Sequence, residues 1–285
     1  RLGLSYHNTA GMHDRLEDIP RRAGKWHVKH ITYPDRPNEP FTICHQDIIE
    51  SIQSLWGDPD LEQHIVYQPR RIFADAQKDR RIYNEMWSGK WWWQIQVRTS
   101  FSLCILLTNY LQKLLPKGCT VAPLIISTDK TQLTQFSGSK QAYPVYLTLG
   151  NIPSRLRRKP SQQACILLAY LPVEKVQRVS LGKKVVSAQY QQLFHTAMST
   201  IFAPLKDAGL NGVELTSGSG AVCRVHPILA AYVADYPEQC LVTCSKQKTC
   251  PKCTAGLTDI GSSAEFPKRT PKGQKEIMDA ARNTT

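Results

Sequence analysis

The chain has 285 residues, a formal net charge of +13 and a pI near 9.4. It is long enough for one large domain or two modest ones, and 41% hydrophobic residues can build a core. No segment approaches the roughly 20 apolar residues of a membrane helix, so a membrane partner is not expected, and the basic balance suits a partner with phosphates, most simply nucleic acid.

The chain begins with Arg1 rather than Met and shows no signal peptide, which we read as a fragment. Residues 1–45 are polar, rich in Arg, His and Pro, and weakly periodic. They predict an irregular, extended arm. Asp47 to Trp56 predicts a short helix with Asp47 as N-cap, ended by Gly57 and Pro59. Asp75 to Met86 predicts a charged helix. Trp87, Trp91, Trp92 and Trp93 follow. Three adjacent Trp cannot share one face, and stacking on bases is open to them. The reading we favour is that they pin the arm to the main core.

Val97–Gln112 fits nothing around it. It is an apolar block punctuated by Ser and Thr, set between polar stretches. Its sixteen residues correspond to 48 nucleotides, and its ends can be encoded by splice-site-like triplets. We read it as a translated short intron, with a natural surface helix as the alternative.

The middle of the chain is the informative part. Leu124–Thr128, Val145–Leu149 and Ala164–Leu171 are strand candidates bounded by Pro, Gly or charge. Pro123 and Pro144 are expected at strand starts, where a missing N–H does least harm. The first run ends at a lone carboxylate, Asp129. An acid just past a buried strand is a frequent catalytic position, and also a frequent turn former. Arg155, Arg157, Arg158 and Lys159 make the next connection basic, as nucleic-acid binding beside an acidic site would want. A plain solvated connection has the same composition.

Tyr190, Leu193, Phe194, Ala197, Met198, Ile201, Phe202 and Leu205 follow the i, i+3, i+4, i+7 pattern and predict one long helix. His195 beside this stripe reads as structural. Pro204 should bend the last turn, and Gly209 or Gly212 should end it. Val213–Leu215 and Val222–Val225 predict a hairpin around Ser217–Gly220. Ile228–Ala234 is apolar throughout, strand or helix, and ends at Asp235-Tyr236-Pro237-Glu238.

This order gives three strands as an antiparallel meander, a crossing helix, and a return parallel to the first strand. It is the order of an α/β ribonuclease H-like mixed sheet. It places Asp129 and Asp235 at neighbouring strand ends, where they can hold Mg²⁺ or Mn²⁺ for two-metal phosphodiester chemistry. Four of the nine cysteines crowd after it: Cys240, Cys244, Cys250 and Cys253. The Cys250–Cys253 spacing is that of a zinc knuckle, and four thiolates suit tetrahedral Zn²⁺. Free thiols are the alternative. The expected organisation is an N-terminal arm over 1–118, a partial catalytic core over 119–239, a cysteine cluster over 240–253 and a disordered basic tail over 254–285.

Several stretches together carry a resemblance. TDKTQLTQFSGSKQAYPVYLTLGNIP, RRKPS, HPILAAYVADYPEQCLVTC and CPKC, with LGLSYHNT and MWSGKWWW earlier, resemble the Plavaka-type transposases of fungi, a branch of the CACTA (En/Spm) superfamily. The resemblance covers Arg1 to about Cys253. It implies a nuclear, cut-and-paste DNA transposase with a ribonuclease H-like core, a partner in transposon-end DNA, and possible homo-oligomers. By position Asp129 matches the family's first acid and Asp235 its second. Cys250 and Cys253 match the C-x-x-C that follows.

Three features depart from the family pattern. The third acid should lie well beyond the C-x-x-C, yet Glu265, Glu276 and Asp279 are the only acids after Asp259, and none has convincing context. Ser217–Gly220 lacks the Asp-Gly expected there, and Val97–Gln112 interrupts the approach to the first core strand. The expectation is therefore a truncated transposase, inactive as it stands. The competing classes are a non-catalytic DNA- or protein-binding module and a relic without a stable product.

Overall fold

Long apolar runs pair first, because a strand buried on both faces must find ladder partners on both edges. The computed structural model describes residues 8–17, 23–33, 36–96, 119–134, 140–174, 183–259 and 261–282. The Val97–Gln112 block lies outside these. In chain order the elements are α1 (Thr9–Glu17), β1 (His27–Tyr33), β2 (Arg36–His45), α2 (Ile48–Trp56), α3 (Pro59–Glu62), β3 (Ile72–Phe73), β4 (Arg81–Ile82) and α4 (Lys90–Gln96). Then follow β5 (Cys119–Thr128), β6 (Thr131–Gln132), β7 (Gln141–Ala142), β8 (Pro144–Leu149), α5 (Ser154–Arg157) and β9 (Ile166–Tyr170). The last are α6 (Lys183–Asn211), β10 (Val213–Thr216), β11 (Val222–Val233), α7 (Tyr236–Val242) and α8 (Pro271–Arg282).

Seven strands form one mixed sheet in the order β1-β2-β9-β8-β5-β11-β10. β5, β8 and β9 are the expected antiparallel meander, Leu124–Thr128 pairing with Leu149–Val145 and Pro144–Leu147 with Tyr170–Ile166. α6 then crosses, and β11 returns parallel to β5. The ambiguous run from Ile228 is thus a strand. Pro123 lies inside β5 rather than at its start, at the point where β8 stops pairing; Gly150 N–H still donates to Pro123 O at 2.7 Å.

The core lies on one face of this sheet. Leu124 and Ile126 of β5, Val145, Leu147 and Leu149 of β8 and Leu168 of β9 meet Phe194, Ala197, Met198 and Ile201 of α6. Ile48, Ile52, Leu55 and Trp56 of α2 close the same cluster. Asp47 caps α2 as expected, its carboxylate accepting the Ile49 and Glu50 N–H groups. α6 continues past Pro204 and Gly209 to Asn211, and Gly212 follows at φ +75°, the left-handed turn that glycine tolerates.

Three expectations are corrected. The polar N-terminal stretch is no irregular arm: β1 and β2 form a hairpin that extends the main sheet through β9. Most of β1 stays exposed, and only the end of β2 alternates, with Phe41 and Ile43 buried. Asp75–Met86 is no helix, because the Asp75 carboxylate accepts the N–H groups of Asp79 and Arg80 and closes a tight β3–β4 turn. The stretch expected as a disordered tail carries α8 and a bridge from Lys268 to Cys253.

The tryptophans anchor as favoured. Trp92 of α4 is fully buried, its Nε1 donating to Gln96 Oε1 at 2.6 Å, and Arg71 lies 4.9 Å over the Trp93 ring.

Candidate active site at the ends of the central strands

The β5–β11 ladder ends with Ser127 opposite Val233. Two residues further on, past the end of each strand, come Asp129 and Asp235. Both side chains are exposed where the two strands stop. Asp235 is also the N-cap of α7: its Oδ1 accepts Glu238 N–H at 2.9 Å, with Pro237 in the first turn.

Glu238 is the residue that sequence reasoning missed. It is buried, and its Oε1 meets hydroxyl groups from β5, from β11 and from the residue before β8. Thr128 Oγ1, one residue before Asp129, donates to it, and Tyr143 OH donates at 2.7 Å. Tyr232 OH lies 3.5 Å from the same oxygen and 2.8 Å from Thr128 Oγ1. A buried carboxylate is costly unless several donors meet it. Here those donors come from the end of β5, the start of β8 and the last turn of β11. Glu238 therefore fixes the strand ends that carry Asp129 and Asp235. The available signal was the Asp-Tyr-Pro-Glu run itself, a helix N-terminus with Glu at its third position. The burial of that Glu left no mark in the sequence.

Burial raises both tyrosine pKa values well above the usual phenol range, and the nearby Glu238 charge adds to the effect. A second acid plays a similar part at the far side of the core. Glu62 accepts Tyr67 OH at 3.1 Å, Gly218 N–H at 2.8 Å and Ser219 Oγ at 3.2 Å. It ties the Ser217–Gly220 turn, which has no acid of its own, to α3. Burial first, and Glu62 second, push Tyr67 up to about 12.

A cavity of about 1080 Å³ opens beside Asp235, lined by Lys130, Tyr143, Tyr190, Glu238 and Lys246 among others. The basic connection is elsewhere. β8 starts beside the end of β5 and runs away from it, so Arg155, Arg157, Arg158 and Lys159 lie at the opposite end of the sheet from the acids. Five strand steps at about 3.3 Å each separate the two ends by roughly 17 Å. Arg157 is also engaged in the fold, donating to Ile152 O at 2.9 Å and pairing with Glu85 at 3.7 Å. Burial lowers its pKa. Arg155, Arg158 and Lys159 are exposed.

The four cysteines expected as one zinc set are divided. Cys250 and Cys253 sit together in a knuckle, where Lys252 N–H reaches Cys250 Sγ at 3.4 Å and Arg269 Nε donates to Cys250 O at 2.8 Å. The Lys252 N–H, and then Cys253, hold the Cys250 thiol below its usual range. Cys240 is buried with its Sγ 3.9 Å from Thr249 O. Cys244 takes a left-handed backbone after α7 and places Sγ 3.3 Å from His195 Nε2, which is also 3.0 Å from Leu241 O. His195 is thus structural, linking α6 to α7. Among the described residues no three His, Cys, Asp or Glu side chains converge as a metal site. Cys250 and Cys253 offer two thiolates at the spacing of a zinc knuckle.

A mixed sheet with two exposed acids at the ends of its one parallel strand pair and a thiol knuckle beyond them defines the class of site. A family model described as Plavaka transposase matches residues 6–285, and the chain belongs to that family. No curated protein and no solved structure matches the chain. Membership in a transposase family implies DNA as the partner. No helix among the described residues is long and apolar enough to cross a membrane.

Two outcomes are expected. Tyr67, Tyr143 and Tyr232 hold their protons more tightly folded than unfolded, so their contribution to stability is complete below pH 10 and is lost as the pH rises through the folded values. Ultraviolet absorbance at about pH 11 should show at least three of the 11 tyrosines still protonated in the native chain and only about one in the unfolded chain. In metal-free protein, iodoacetamide with mass-spectrometric mapping should label Cys250 before Cys244, whose thiol burial pushes up. The reverse order would contradict the knuckle geometry.

Proposed function

We propose that the chain acts as the DNA-cleaving and strand-transferring part of a cut-and-paste transposase, working through hydrolysis and transfer of phosphodiester bonds. The observation that carries this reading is the parallel β5–β11 ladder, whose last pair, Ser127 and Val233, stands two residues before Asp129 and Asp235. The strand order 3-2-1-4 of the meander and its parallel return, with α6 between, supports a ribonuclease H-like fold as its frame.

The acid pair fits a hard divalent cation. Both side chains are exposed carboxylates, and Asp235 uses one oxygen on the Glu238 N–H, leaving the other for a ligand. One or two protein carboxylates with water are the usual Mg²⁺ environment. Asp129 and Asp235 would hold it, and when bound it supplies an activated oxygen nucleophile and neutralises the leaving oxygen. The chain's own contribution is placement. Glu238 holds the two strand ends in register through Thr128, Tyr143 and Tyr232, and Lys130 and Lys246 bring positive charge to the cavity rim beside Asp235. Zn²⁺ on the Cys250–Cys253 knuckle is proposed as structural, with no part in the reaction.

A second reading, a transposase-derived DNA-binding module without chemistry, is favoured by one observation: no third carboxylate joins Asp129 and Asp235 as a ligand group among the described residues. Nicking of supercoiled DNA in Mg²⁺ or Mn²⁺ separates the two. The enzyme reading predicts cleavage that falls at least about 100-fold in Asp129→Asn and in Asp235→Asn. Salt-sensitive DNA binding with no metal-dependent cleavage, unchanged in both variants, would establish the module instead.

A further inference from the structure

The face of the sheet turned away from α2 and α6 carries its own groove. β8 sends Val145, Leu147 and Leu149 into the core and Tyr146 to the other side, where it is 37% exposed. Its partner on β9 is Leu167, and Tyr170 at the end of β9 shares that face. Trp26, just before β1, stacks on Tyr170 with ring centroids 5.9 Å apart and planes 22° apart. Both rings stay open to solvent, Trp26 at 38% and Tyr170 at 41%. Large aromatics left half-exposed on a sheet face are usually covered or used.

Arg158 and Lys159 border the same groove as Trp26 and Tyr146. With Trp26, Tyr146, Gln163 and Leu167 they line a groove of about 860 Å³. Both cations are exposed, and among the described residues no carboxylate lies within 4 Å of either. Arg158 is close enough to Arg157 for the two charges to repel. An uncompensated positive rim over exposed rings fits a ligand with regularly spaced negative charge and flat apolar faces. Single-stranded nucleic acid has both, whereas duplex DNA keeps its base faces stacked away.

We propose that this groove on the outer face of β8 and β9 binds single-stranded DNA, with phosphates on Arg158 and Lys159 and bases against Trp26 and Tyr146. The choice of ligand class rests on the DNA-processing reading; the location does not. Tyr146 pairs with Ser127, two residues before Asp129, while Arg158 and Lys159 follow the far end of β8, so the groove draws residues from both ends of that strand.

The test is fluorescence anisotropy with a labelled oligodeoxythymidylate of about 12 nucleotides, in metal-free buffer at several salt concentrations. The double variant Arg158→Ala/Lys159→Ala should weaken binding at least fivefold and reduce the salt slope by about 1.4, near 0.7 for each lost phosphate contact. Tyr146→Ala and Trp26→Ala should each weaken binding about tenfold. Arg155→Ala, an exposed cation of the same connection outside the groove, should change little. Equal loss in Arg155→Ala would mean diffuse charge and overturn the proposal. So would a duplex of the same length competing as well as the single strand, or unchanged binding in the aromatic variants. Asp129→Asn should bind normally; no metal-dependent nicking by the unaltered chain, with intact groove binding, sinks only the enzymatic reading, and nicking without groove binding sinks only the groove.

Discussion

The parallel ladder between β5 and β11 is the constraint on which the rest depends. The two strands are separated by about a hundred residues and pair over nearly their whole length. Such a pairing needs a long crossover, and α6 supplies it. The helix buries Phe194, Ala197, Met198 and Ile201 on the same face where Leu124, Ile126 and Leu147 point. A slip of one residue would turn the inward side chains of β11 outward and separate Asp129 from Asp235. The packing that stabilises the sheet therefore also sets the candidate site.

Glu238 adds a second lock at that end. Its carboxylate joins hydroxyls from β5, the start of β8 and β11, while its backbone N–H returns to Asp235. Removing the carboxylate would leave several buried hydroxyls short of an acceptor, which costs more than the bonds themselves contribute. The cap, the buried acid and the two exposed acids thus form one mechanical unit. The basic connection has no place in this unit. It lies at the other end of β8, over a face of the sheet with exposed aromatic rings.

Much of this was legible in the residues. Leu124–Thr128 and Val145–Leu149 read as strands because they are short runs bounded by Pro, Gly or charge. α6 read as a helix because its apolar stripe runs for four turns. What escaped notice had a physical reason in each case. The β1–β2 hairpin is held by backbone hydrogen bonds, β1 is mostly exposed, and the apolar alternation of β2 is as short as Phe41 and Ile43. Asp75 ends a would-be helix by taking backbone N–H groups into a turn, a choice that propensity alone does not reveal. Cys240 and Cys244 stand near Cys250 in sequence, but α7 carries one into the core and turns the other toward His195. The role of Glu238 left no mark in the sequence because only the assembled sheet brings Tyr143 and Tyr232 to it.

The central claim is that two carboxylates from strands far apart in sequence act as one divalent-cation site. Electron paramagnetic resonance of Mn²⁺ titrated into the protein tests it most directly. The account predicts one bound ion that is lost alike in Asp129→Asn and in Asp235→Asn, and retained in Glu265→Gln. Mn²⁺ binding that survives removal of either aspartate would contradict it.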